Sequence, residues 1–212
     1  MLTLRMLLAA VTVIYATSAN ELDEPFGGLA TAPDVHGLLS ATWRDLRLQL
    51  QFDQFMIESC PEVEAPTGYV CAAATALQHI VREATAQLSL RAAVGHINRA
   101  INLRIQPVPA DWVSALDALE MGNGDCKAYA IAKYVALLNA GFGKVRLVIV
   151  HNARDNSTHM VTAVMIERRW LLLDNLTAVL VDDGDASRYR PLYVLDDKGA
   201  RRYLGRGGSP RP

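Results

Sequence analysis

The stretch Gly122-Asn123-Gly124-Asp125-Cys126-Lys127-Ala128-Tyr129-Ala130-Ile131-Ala132-Lys133-Tyr134 decides how the rest of the chain is read. Two glycines around an Asn-Gly step mark a tight turn, and Tyr129, Ile131, Tyr134, Val135 and Leu138 follow at spacings compatible with an amphipathic helix. Asp125 is a natural N-cap, which puts Cys126 at the helix start. There the unpaired backbone N–H groups and the positive end of the helix dipole favour an anion, so the thiol is biased toward its nucleophilic thiolate. Gly141-Phe142-Gly143 supplies the glycine expected past the helix C-terminus.

Downstream of this helix the pattern changes character. Val145–His151, Met160–Ile166 and Trp170–Asp174 are rich in β-branched and other apolar residues and bounded by turn formers, and a further strand is expected around Leu192–Leu195. Glu167-Arg168-Arg169 is short enough for a hairpin turn between the second and third of these strands. Upstream, Leu39, Trp43, Leu46, Leu50 and Ile57 follow helical spacing from Leu38 to about Glu58. A second, Ala-rich helical stretch runs from Cys71 to about Leu103, divisible at Gly95 or at Ser89-Leu90, and Pro107 and Pro109 stop it. Residues 111–121 read as a linking segment. N-terminal helices followed by sequential strands define an α+β domain with an antiparallel sheet.

At 212 residues the chain supports one substantial core, and its net charge of −1 with 51% apolar residues excludes a nucleic-acid-coating or disordered protein. Residues 1–19 differ from the rest: Arg5, the apolar run Met6–Tyr15 and small residues ending in Thr17-Ser18-Ala19 read as a secretory signal peptide cut after Ala19, with an uncleaved anchor as the other reading. The expected organisation is therefore a signal peptide over 1–19, a single domain over 20–198 and a flexible tail over 199–212. Cys60 and Cys71 lie close together, and an oxidising compartment allows them to pair, leaving Cys126 as the odd thiol. Three reduced and inert cysteines are the other reading.

His159 directly precedes one strand and Asp174 closes the next. Paired as a hairpin, these strands hold the two side chains at the same end of the sheet, within reach of each other. With Cys126 they have the logic of a thiol hydrolase: imidazole takes the proton from sulfur, the carboxylate orients the imidazole, and thiolate attacks a carbonyl. Asn152 and Asn175 are polar residues near this site that either orient His159 or serve an oxyanion, and the N–H of Cys126 is a further oxyanion donor. His79 and His96 read as surface or satisfied core residues, and Asp182-Asp183-Gly184-Asp185 as a solvated turn.

Gly124-Asp125-Cys126 with Tyr129–Tyr134, then His159-Met160-Val161, then Leu173-Asp174-Asn175-Leu176 resemble the motif blocks of the bacterial transglutaminase-like cysteine proteinases. His96–Asn102 and Asp111-Trp112 resemble that family's approach to its active site. The resemblance implies a papain-like, transglutaminase-like core with Cys126 as nucleophile, His159 as base and Asp174 as orienting carboxylate, cleaving a peptide bond through a thioester. It also implies a periplasmic location, a large surface adhesin as protein substrate and an inner-membrane regulatory receptor as partner. Family members typically carry acidic residues after the cysteine that help bind calcium. Lys127 and Ala128 stand in those places here, so weak or absent calcium binding is expected, with no other cofactor. Lys127 itself reads as a solvated surface residue. The same triad also suits acyl transfer to an amine, as in a transglutaminase or amidase, and a catalytically idle binding domain on the same fold is the third reading.

Overall fold

The computed structural model describes residues 24–28, 31–35, 37–60 and 69–204; the expected signal peptide and residues 205–212 lie outside the described residues. After the single turn α1 (Pro25–Gly28), five longer helices, α2 (Leu38–Ser59), α3 (Tyr69–Thr85), α4 (Leu90–Arg104), α5 (Ala115–Met121) and α6 (Cys126–Asn139), precede most of the strands. The strands are β1 (Thr31–Pro33), β2 (Gln106–Pro107), β3 (Asn123–Gly124), β4 (Val145–Asn152), β5 (Ser157–Ile166), β6 (Arg169–Asp174), β7 (Thr177–Asp182), β8 (Tyr189–Asp196) and β9 (Gly199–Tyr203). Seven of them form one sheet in the order β1-β9-β8-β4-β5-β6-β7, with every neighbouring pair antiparallel. A small parallel pair, β2 with β3, stands apart from it.

Strand alternation decides what each sheet face buries. Met160, Val164 and Ile166 of β5 and Leu171 and Leu173 of β6 pack with the helices in the main core. Val161, Ala163, Trp170 and Leu172 join Tyr189 and Tyr203 in a second apolar layer on the other face. Helix α6 is the centre of the first layer: Ala128 to Leu137 is buried without interruption, and the hydroxyl of Thr162 on β5 donates to the carbonyl of Ala130 at 2.8 Å.

The Ala-rich stretch divides at Ser89, whose side chain accepts from the Ala92 N–H at 3.2 Å as an N-cap, while Gly95 stays inside α4. Cys60 and Cys71 form a disulfide that ties the end of α2 to α3, and Cys126 is the free cysteine. The β5–β6 hairpin turns on Glu167 and Arg168 alone, both at positive φ (48° and 66°). That pair of conformations matches the twist of the flanking strands.

Three expectations are corrected. Residues 111–121 contain a real helix, α5, because Ser114 caps it and the buried carboxylate of Asp53 accepts both the Ser114 hydroxyl at 3.0 Å and the Leu116 N–H at 3.1 Å. The expected tail from 199 begins instead as β9, paired with β8 on one side and β1 on the other. Its polar residues are used: Arg201 pairs with Asp196 at 2.6 Å and with Glu24 at 2.7 Å. The acidic turn at 182–185 is not simply solvated, since Asp183 accepts backbone N–H groups from Phe26 and Gly27.

Candidate active site

The turn before α6 is built from glycine geometry. Gly122 sits at φ 64° and caps α5, and a Cβ on Gly124 would fall 2.4 Å from the Cβ of Ala128. The carbonyls of Gly122 and Gly124 accept from Gln106 N–H at 2.9 Å and Val108 N–H at 3.0 Å, which fixes the approach to the helix. Asp125 is the N-cap, its carboxylate accepting the Lys127 N–H at 2.9 Å. Cys126 opens the helix and is half-buried.

His159 and Asp174 come from adjacent strands of one hairpin. In the β5–β6 register Thr162 faces Leu173, which makes residues 159 and 174 diagonal neighbours on one sheet face. A bulge between Leu172 and Asp174 in the β6–β7 pairing breaks the ladder where the carboxylate emerges. The His159 Nε2 and Asp174 Oδ1 atoms are 2.8 Å apart, with both side chains buried. Cys126 is close enough to the ring to act, together with Asp174, on the protonation of the imidazole. The three side chains singled out from the sequence are thus brought together where the tip of α6 abuts the sheet.

Asp174 is held by more partners than the sequence indicated. Besides His159, Oδ1 accepts the Leu176 N–H at 3.0 Å, and Oδ2 accepts Arg188 Nη2 at 2.8 Å and the Tyr189 hydroxyl at 2.5 Å. Tyr189 also stacks on the His159 ring, with centroids 5.8 Å apart, and Arg188 lies over the tyrosine ring. From the helical layer, Asn102 donates to the Asp174 carbonyl at 3.0 Å and Asn98 to the Thr177 carbonyl at 3.2 Å. The 96–102 block therefore braces the turn that carries the carboxylate. Arg188 and Tyr189 gave no local sequence signal, because only the β8 crossover brings them to the site.

The electrostatics follow from these bonds. Burial works to raise the Asp174 carboxyl, but hydrogen bonds from His159, Tyr189 and the Leu176 N–H hold it down at about 2. Burial alone would lower His159, yet its hydrogen bonds to Asp174 and Cys126 and their charges lift it to about 9. Tyr189 is pushed well above its ordinary value, first by burial and then by Asp174, so it stays a donor. At neutral pH the site holds a carboxylate and an imidazolium.

Asn152 and Asn175 differ in use. The Oδ1 of Asn152 accepts the Arg154 N–H at 3.2 Å, whereas the buried Oδ1 of Asn175 has no partner among the described residues. His79 and His96 flank Glu83 at 3.4 and 3.2 Å, in a separate cluster between α3 and α4. Lys127 departs from the solvated reading: its side chain is 22% exposed, and Nζ bonds the Asp125 carboxylate and the Ala110 carbonyl. An ammonium thus takes the oxygen ligands that a hard cation beside Cys126 would need. Among the described residues no group of three or more His, Cys, Asp or Glu side chains is arranged to hold a metal ion.

A cysteine at a helix start beside a His–Asp pair carried on an antiparallel sheet agrees with the class of protein that the motif blocks resemble. The model of the bacterial transglutaminase-like cysteine proteinase family matches residues 62–197, and the chain belongs to that family. Among solved structures, calcium-bound LapG of Legionella pneumophila is 20% identical, with a TM-score of 0.57 over 76% of this chain and 90% of that one. EGTA-treated LapG of the same organism is 21% identical, with a TM-score of 0.58 over 74% and 87%. These likenesses support the α+β, transglutaminase-like fold. No match is found among curated protein sequences.

Proposed function

We propose that this transglutaminase-like cysteine protease is an exported endopeptidase in which Cys126 is the nucleophile, His159 the acid and base, and Asp174 the carboxylate that orients the imidazole. The observation that carries this reading is the 2.8 Å contact between His159 and Asp174 beside a half-buried thiol at a helix N-terminus. The Cys126 thiolate adds to a peptide carbonyl, and the resulting oxyanion lies within the reach of N–H groups at the start of α6. His159 gives its proton to the leaving amine, forming a thioester. The neutral imidazole then takes a proton from water, whose oxygen attacks the thioester and releases Cys126.

The Cys60–Cys71 disulfide supports export to an oxidising compartment, the periplasm in this reading. The substrate class that follows from the family resemblance is a large surface adhesin, with an inner-membrane receptor as regulator. Calcium-bound and EGTA-treated forms exist for the Legionella protein. For this chain the Lys127 ammonium supports a calcium-independent site. Activity should survive EGTA unchanged, and calorimetry should register no calcium binding that Asp125→Ala removes.

Cells carrying the wild-type chain should shed a surface protein that cells carrying Cys126→Ala or His159→Ala retain. Shedding at the wild-type level by a folded Cys126→Ala protein would end the proposal.

A further inference from the structure

Lys133 is a buried ionisable group that this reaction leaves unused. Its side chain is fully buried (0% exposed), and Nζ has no hydrogen-bond partner among the described residues. Hydrocarbon of the same volume would fill the space without the cost of burying an ammonium, so a purely packing role gives no reason for the charge. Nζ lies 5.8 Å from the ring centroid of Tyr129, one turn nearer the start of α6. The side chain therefore leans back along the helix toward Cys126, as helical side chains do. Cys126 is seven residues earlier on the same face, about 10 Å along the axis.

We propose that Lys133 is a positioning residue for the catalytic thiol, its buried ammonium held on the helix face that carries Cys126 so that Cys126 is favoured as thiolate. The inference rests on the functional reading above. The charges around it are Asp174 and His159 on the sheet and Arg188 beyond Asp174. Helix α4 contributes the neutral Asn98 and Asn102, whose Oδ1 atoms are also unpartnered. Lys133, Arg188, protonated His159 and the Lys127 beside Cys126 are four positive charges against the carboxylates of Asp174 and Asp125, and loss of the Cys126 proton reduces that surplus. Burial lowers the ammonium to about 7, and Asp174 opposes that fall, so below neutral pH it carries its charge.

Iodoacetamide alkylation across pH tests this, because the disulfide leaves Cys126 as the reactive thiol. In Lys133→Met the acid limb of the rate profile should move up by about one pH unit, so that alkylation below the midpoint slows about tenfold. A unit charge roughly 10 Å away at an effective dielectric of about 20 produces a shift of that size. An unchanged limb in a folded Lys133→Met protein, with or without a lower unfolding midpoint, marks a structural lysine and overturns the inference alone. A wild-type thiol with no limb below that of an ordinary cysteine overturns the functional reading and this inference together. Should Lys133→Met not fold, ¹⁵N NMR of lysine Nζ in the wild-type chain decides. A charged, buried amine at pH 6 whose titration falls in Asp174→Asn supports the inference, and a neutral amine at pH 6 refutes it.

Discussion

Replacing Asp174 with Asn tests the electrostatic heart of the site. The carboxylate is held from an ordinary 3.8 down to about 2 and the imidazole is raised from 6.5 to about 9. At roughly 1.4 kcal/mol per unit the carboxylate end converts to about 2 kcal/mol and the imidazole end to about 3 kcal/mol. They are two views of one contact and do not add. The imidazole figure is larger because it includes Cys126, and the carboxylate figure includes Tyr189 and Leu176. We take about 2 kcal/mol as the share belonging to the pair, which corresponds to a loss of roughly 30-fold in kcat/KM if it is needed in full at the transition state. In Asp174→Asn burial acts on His159 without the carboxylate, so its titration should fall by about two pH units. NMR titration of the ring proton, assigned by its loss in His159→Gln, reads this directly.

Stability should follow the same logic. The depressed carboxyl stabilises the fold above pH 3.8 and loses that contribution as pH falls toward about 2. The raised imidazole stabilises it below pH 6.5 and loses that contribution as pH rises through about 9. The His159 contribution to the unfolding free energy should therefore drop by about 2–3 kcal/mol between pH 6.5 and 9, read as the difference in slope between the wild type and Asp174→Asn, because the depressed Lys133 ammonium adds a slope of opposite sign over the same range. A variant that keeps both the wild-type His159 titration and the alkaline slope would refute the reasoning.

Asn102→Ala removes the bonds to the carbonyls of Asp174 and Thr177; it should cost about 1 kcal/mol in denaturant unfolding and lower kcat more than it raises KM. Gly124→Ala must displace Ala128 by its 2.4 Å contact, so a loss of about 1–3 kcal/mol and of Cys126 alkylation selectivity is expected together. Replacing Cys60 and Cys71 by Ser opens a loop of sequence separation 11, and calorimetry should show about 3 kcal/mol less stability. An unchanged midpoint would mean that the unfolded chain is already constrained there.

The parts of this site that the sequence makes legible are those with a local cause. An Asn-Gly turn, a capping Asp and an uninterrupted apolar run fix the start of α6, and β-branched runs around a two-residue gap fix the β5–β6 hairpin. The resemblance of three short blocks then supplies the chemistry. Arg188, Tyr189 and the brace from Asn102 escape such a reading because their partners lie 14, 15 and 72 residues away. Strand β9 escapes it too, since Gly-Ala-Arg-Arg-Tyr carries no apolar run and gains its place from ion pairs with Asp196 and Glu24. Helix α5 depends on a carboxylate from α2, and Lys127 on a carbonyl 17 residues earlier.

The imidazole and the carboxylate sit on neighbouring rungs of a ladder in which each side chain's face is dictated by its partner. Sliding β6 by a single residue would send residue 174 to the opposite face and leave residue 159 without its anion. A chain that emerges misaligned is thereby disarmed as well as misfolded. Hydrolytic competence in this protein is a report that the hairpin zipped correctly.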